Sequence, residues 1–257
     1  MNKIIDFIGK RKSWAIPYAI VMLIFIIAPL FIVVWYAFHD ADGVTLHQFG
    51  KFFGSDDSTD LNTFIYSIGI AMITTIVCVL VGYPAAYFMA DRQFKTPQVM
   101  VLLFILPMWI NLLLRTLATV AIFDFLHLDL GEFALIFGMV YNFLPFMIYP
   151  IYNTLQKMDP SLNEAARDLG AKPSQVFMKV ILPLSMPGVY SGILMVFMPT
   201  ISTFAVSELL TMNNIKLFGT VIQDNMNTGL LNYGSALSVI LIIIIGISSF
   251  FGGKDDK

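Results

Sequence analysis

Apolar and polar positions along this chain come in long blocks rather than in the short periods of a soluble core. Apolar runs lie at about 16–38, 62–89, 97–123, 133–155, 187–210 and 234–251. Each is near the roughly 20 residues that a helix needs to cross a bilayer. The pattern predicts an all-α membrane protein with six transmembrane helices, because a helix satisfies its own backbone inside lipid. Residues 1–15 carry Lys3, Lys10, Arg11 and Lys12 and lead straight into the first run. That run is too long for a secretory signal and lacks a small-residue cleavage site, so it reads as an anchor. Gly82-Tyr83-Pro84 predicts a kink late in the second run. A brief polar tail, 252–257, ends the sequence.

The polar interruption from 156 to 186 carries its own helix punctuation. Asp159-Pro160-Ser161 reads as a helix start, with proline where its missing N–H is not needed. Ser161 and Glu164 have the spacing of a capping box. Leu162, Ala165, Ala166 and Leu169 recur at helical spacing and give one small apolar face. Gly170 stands where a left-handed residue ends a helix. Pro173 opens a second short helix, with Val176, Phe177, Val180 and Ile181 on one face, and Pro183 is expected to close it. An amphipathic hairpin of this kind can also lie on a membrane surface with no partner.

Composition and charge sharpen the reading. Only 12% of residues are charged and 58% are hydrophobic, against about a quarter charged in a soluble domain. Lys3, Lys10, Arg11, Lys12, Arg92, Lys95, Lys157, Arg167, Lys172, Lys179, Lys254 and Lys257 fall on one side of the spans. The other side holds Lys51 and Lys216, and Arg115 lies within a span. Basic residues favour the cytoplasmic side, so both termini and the 156–186 loop are expected there. Cys78 is the sole cysteine, which leaves no internal disulfide and no cysteine metal site. His39, His47 and His127 lack metal-ligand spacing. No G-x-x-x-x-G-K-[ST] loop occurs, so ATP hydrolysis by that route would belong to another chain.

Charged side chains inside spans are costly and face a cavity or a partner. Arg115 falls in the third run and Glu208 near the end of the fifth. One reading pairs Arg115 with Glu208 or Asp124 as a structural ion pair. Another makes Glu208, Asp124, Asp129 and Glu132 an acidic mouth with Trp109 and Tyr141 as aromatic faces. That set suits a cationic amine, through charge pairing and cation–π contact. Taken singly, such aromatics more often pack or face lipid.

Glu164-Ala165-Ala166, three residues, Gly170, nine residues, Val180, one residue, Leu182-Pro183 resembles the EAA loop of ABC importer permeases, with Val for the usual Ile. Pro107-x-Trp109-x-Asn111-x-x-x-Arg115, Tyr141 to Met147 and Leu182 to Gly188 further resemble PotB-type permeases of spermidine/putrescine importers, over most of the chain from the second span to the sixth. The connection between spans three and four is shorter than that branch leads one to expect. The resemblance implies a type I ABC importer permease (MetI-like) fold with a cytoplasmic coupling loop at 156–186. It implies that Glu164, Ala165, Ala166, Asp168, Gly170, Leu182 and Pro183 couple to an ATPase. Glu208, Trp109, Asn111, Arg115, Asp124, Tyr141 and Asn142 would line the substrate path. The implied partners are a PotC-like second permease, two copies of a PotA-like ATPase, a PotD-like extracellular binding protein, a polyamine and the lipid bilayer, with no nucleic acid. No cofactor is expected in this chain, ATP and Mg belonging to the ATPase. Another solute of the same superfamily would make Arg115 an anion-binding residue and Glu208 its structural partner. An ion-driven secondary transporter would show an inverted repeat, which this sequence does not, and would leave the EAA loop unexplained.

Overall fold

Proline sets the course of the long helices. The computed structural model describes residues 16–40, 43–54, 59–90 and 97–252. The basic segment 1–15, the turn at 91–96 and the end of the tail lie outside the described residues. The chain divides into two compact units, Met1–Ser58 with Ile222–Ile243 and Thr59–Val221 with Ile244–Lys257.

In the first unit, α1 (Ile16–Met22), a π turn (Leu23–Ile27) and α2 (Ala28–Phe38) make one span. None of its apolar window is buried within the chain (0%), and it is apolar all round, as a lipid-facing or subunit-facing helix requires. A two-residue hairpin, β1 (His39–Asp40) with β2 (Gly43–Val44), leads to the amphipathic α3 (His47–Gly54). Ala37, Ala236 and Val239 form a small core edged by Val33, Phe38 and Phe49.

The second unit holds α4 (Thr59–Ala90), α5 (Pro97–Ile105), α6 (Leu112–Phe125) and α7 (Glu132–Lys157). After these come α8 (Pro160–Asp168), α9 (Pro173–Val176), α10 (Leu182–Ser202) and α11 (Ala205–Thr211). The remaining helices, α12 (Phe218–Asn227) and α13 (Leu231–Gly252), belong partly to each unit. Its core is built mainly by α4 and α7, with Ile70, Cys78, Tyr83, Met139, Met147, Ile148 and Ile151 buried, and by Val189 and Val196 of α10. Of the five unbroken spans, α7 is the most enclosed, with 56% of its apolar window buried.

α7 and α10 approach so closely because Gly188 and Gly192, four apart, share one face. A Cβ on Gly188 would meet the Pro150 carbonyl oxygen at 2.9 Å, and one on Gly192 would meet the Met147 sulfur at 2.7 Å. Small residues at this spacing let helix backbones pack without lipid between them. Gly188→Ala is expected to destabilise the protein by ~1–3 kcal/mol, seen as a lower unfolding midpoint in detergent. Gly246→Ala, where nothing lies within 4 Å, should be neutral or slightly stabilising. Equal midpoints for the two variants would contradict the close packing.

Two long runs differ from a simple rod. The third is broken: Val99–Trp109 and Leu112–Phe125 meet at 96°. Pro107 cannot donate to the preceding turn, a 3-10 turn (Leu106–Trp109) tightens the end, and Ile110 becomes extended. The fifth begins earlier than hydropathy suggests. A helical stretch of 30 residues runs from Pro173 to Ser202 through a π turn at Phe177–Ile181. Pro183 therefore does not close a separate helix. It sits in the first turn of α10, where a missing N–H is tolerated. Thr203 is then extended before α11 begins.

Candidate functional site

The loop between α7 and α10 is built by local rules. Asp159, not Ser161, is the N-cap of α8; its carboxylate accepts from the Ser161 N–H at 3.0 Å. Ser161 is thereby the second helical residue, and the expected Ser161–Glu164 capping box does not form. Pro160 takes the first helical position, as expected. At the other end Gly170 has φ +81°. Its N–H reaches the Arg167 carbonyl at 2.8 Å, and the Ala171 N–H reaches the Ala166 carbonyl at 3.1 Å, a complete Schellman closure. The chain then turns into α9, where Gln175 Oε1 accepts from the Lys172 N–H at 2.9 Å.

The apolar face of α8 looks outward. Leu162 is 44% and Leu169 is 89% exposed, and Glu164, Ala165, Asp168 and Gly170 are exposed beside them. Leu182 is half-buried and Pro183 exposed at the start of α10. Between the two short helices lies a cavity of about 320 Å³ lined by Ala166, Leu169, Gly170, Ala171, Gln175, Val176, Lys179 and Val180. An amphipathic helix pinned at both ends, with uncovered leucines beside such a cavity, is a surface made to be covered.

The second predicted set separates into three parts. Trp109 is 77% exposed at the break, and Asn111 is the N-cap of α6, its Oδ1 accepting from the Leu113 N–H at 2.8 Å. Arg115, Tyr141 and Asn142 come together between α6 and α7. Arg115 is 5% exposed, donates to the Tyr141 carbonyl at 2.9 Å and to the Asn142 carbonyl at 3.3 Å, and lies 4.9 Å from the Tyr141 ring centre. Asn142 is fully buried and donates to Thr116 Oγ1 at 3.2 Å. Two buried atoms in this group, Arg115 Nε and Asn142 Oδ1, have no hydrogen-bond partner among the described residues.

Asp124 is exposed and Glu208 half-buried. Among the described residues no ion pair joins either of them to Arg115, so the expected structural pair is absent. The reason is local. Pro145 is four residues beyond Tyr141 and has no N–H, which leaves the Tyr141 carbonyl without its helical donor. Arg115 supplies the donor instead. That role escaped the sequence reading, although the Tyr141–Pro145 spacing signals an orphaned carbonyl there. Thr116, the Asn142 partner, escaped it too. Of the remaining acids, Glu132 lies beside the Tyr66 hydroxyl and Asp129 is exposed. Among the described residues no group of His, Cys, Asp and Glu is arranged to hold a metal ion.

Residues 82–253 match the family model described as binding-protein-dependent transport system inner membrane component. A spermidine/putrescine transport system permease protein PotB of Haemophilus influenzae is 34% identical over 92% of this chain and 90% of its own length. The protein of the same name from Escherichia coli K12 is 36% identical over 71% of this chain and 73% of its own. Among solved structures, a bacterial ABC transporter involved in import of the acidic polysaccharide alginate superposes with TM-score 0.71 over 96% of this chain and 99% of the matched one, at 17% identity. At that identity the likeness speaks for the fold alone.

Proposed function

The chain belongs to the family of binding-protein-dependent transport system inner membrane components, and from that membership we propose that it is the permease subunit of an importer that brings polyamines into the cell. It is a multi-pass protein of the cytoplasmic membrane with the helical fold of ABC importer permeases. It is a transport subunit, working with a substrate-binding protein and an ATPase. The observation that carries the polyamine reading is the 34% identity, across nearly the whole of both chains, to a relative named for spermidine and putrescine.

In this proposal both termini and the α8–α9 corner face the cytoplasm, following the distribution of lysine and arginine. A second, PotC-like permease, two PotA-like ATPase subunits and a PotD-like extracellular binding protein complete the complex. ATP and Mg bind the ATPase, and this chain binds neither. Glu164, Ala165, Ala166, Asp168, Gly170, Leu182 and Pro183 form the surface that meets the ATPase. ATP binding closes the ATPase dimer, draws the corners of the two permeases together and opens the pair outward. Hydrolysis resets it and releases the polyamine inward.

Glu208 and Asp124 supply negative charge on the path, while Trp109, Asn111 and the exposed edge of Tyr141 meet the methylene and ammonium groups. Arg115 and Asn142 hold Tyr141 in place. The alternative in which Arg115 receives an anion loses support, because its guanidinium is buried and already donates to two carbonyls.

The test is uptake and ATP hydrolysis in liposomes holding the whole complex. Spermidine-loaded binding protein should stimulate both. Glu208→Gln should lower spermidine uptake about tenfold, equivalent to ~1.4 kcal/mol, with assembly and stimulated hydrolysis retained. A complex that no longer assembles would make Glu208 a structural residue. Uptake of the native solute undisturbed by excess spermidine would sink the polyamine reading.

A further inference from the structure

The π turn Phe177–Ile181 joins the α8–α9 corner to α10, and α4 grips it on both sides. On the near side, the Phe177 ring stands edge-on to two tyrosines of α4: Tyr83, with centroids 5.9 Å apart at 82°, and Tyr87, at 5.3 Å and 81°. On the far side, the Tyr83 and Ser185 hydroxyls are 2.9 Å apart. Ser185 Oγ donates to the Leu182 carbonyl, also at 2.9 Å, so the Tyr83 hydroxyl is the donor in the first bond. Tyr83 is 9% exposed and Ser185 0%. Water does not compete for either contact.

We infer that Tyr83, Tyr87, Phe177 and Ser185 form the joint through which displacement of the α8–α9 corner reaches α4. The inference rests on the reading of that corner as the ATPase contact. Three features make α4 the element that moves. The close approach at Gly188 and Gly192 locks α10 to α7, which opposes sliding of α10 alone. Pro84, next to Tyr83 within α4, leaves the Leu80 carbonyl without its helical donor and makes that point a hinge. The π turn closes with an i→i−5 bond, from the Leu182 N–H to the Phe177 carbonyl, one residue longer than the α-helical loop, a device that recurs at functional sites. A push on α8 therefore shifts Phe177, and Phe177 swings the end of α4 about Pro84. These four side chains position the helices and need not touch substrate.

The joint predicts a defect in coupling rather than in assembly. The readout is spermidine taken up per ATP hydrolysed, measured on the complete complex in liposomes. A variant that only weakens the fold lowers both quantities together and leaves their ratio unchanged. Phe177→Leu stays apolar, with some loss of volume, and loses both edge-on contacts, and the ratio should fall about fivefold, the scale of such ring pairs. Tyr83→Phe removes a single oxygen, so it folds, and should lower the ratio about twofold. Phe177→Tyr, which keeps the ring, should restore it. Unchanged ratios in Phe177→Leu and Tyr83→Phe, beside a Gly170→Val variant that does not couple, would overturn the joint while sparing the corner. Wild-type coupling by Gly170→Val would overturn both.

Discussion

Gly170→Val is expected to cut uptake to about a twentieth of wild type or less while the protein still inserts and assembles, on the following energetics. Gly170 has φ +81°, where glycine pays no steric penalty. A side chain held in that region costs on the order of 1–3 kcal/mol, and each ~1.4 kcal/mol is tenfold in population. A Cβ there would meet nothing within 4 Å, so the penalty is conformational and purely local. The corner would open, the two closing hydrogen bonds to Ala166 and Arg167 would be lost, and Leu162 and Leu169 would no longer be presented together. Asn tolerates the left-handed region better than other non-glycine residues, so Gly170→Asn should retain more uptake than Gly170→Ala, and Ala more than Val. A Gly170→Val complex that transports like wild type would remove the corner from the coupling path. A series in which Asn, Ala and Val are equally impaired would instead overturn the conformational account, and one in which Ala outperforms Asn would point to a need for a small residue.

That corner was legible in the sequence because its determinants are near neighbours: proline at the helix start, apolar spacing along α8, and a glycine where the helix stops. Proline at the first helical position points to Asp159 as the cap and the Ser161–Glu164 spacing to Ser161; both are good caps, and only backbone geometry decides between them. Pro183 misled for a different reason. A proline normally marks a boundary, but a π turn just before it lets helix run on into the membrane. The break in the third run had its signals in Pro107 and Asn111, yet hydropathy is blind to a 96° bend when both arms are apolar. The grip on Phe177 pairs residues about a hundred positions apart in sequence (Tyr83 with Ser185, |i−j| = 102), and no local pattern carries such information. Arg115 lay between these cases. Its cost inside a span announced a partner, but a carboxylate was the wrong kind of partner to expect.

Arg115→Ala is expected to destabilise the protein by about 3 kcal/mol, from a charge-assisted hydrogen bond lost and a buried carbonyl left bare. The contact with the Tyr141 ring adds to that loss. Two effects oppose it. Removing the guanidinium also removes a charge that was costly to bury, and Asn142 keeps the N–H of Phe146 as a possible helical donor to its carbonyl. The Tyr141 carbonyl has no such fallback while Pro145 is present. Pro145→Ala would restore the missing N–H, so a double-mutant cycle isolates the role of Arg115. In the Pro145→Ala background, Arg115→Ala should cost about 1–2 kcal/mol less than in wild type, as expected for neighbours that share one acceptor. Unfolding midpoints in detergent for the four proteins measure this directly. If Arg115 instead served the solute, Arg115→Ala would lower uptake with stability unchanged, and the cycle would be additive. Arg115→Lys sharpens the distinction: the one Nη2 atom donates to both carbonyls from a rigid guanidinium plane, and a flexible lysine keeps the charge without that fixed placement. On the carbonyl-capping account Arg115→Lys loses stability with Arg115→Ala, because what α7 lacks at Pro145 is a donor in the right place and not a positive charge.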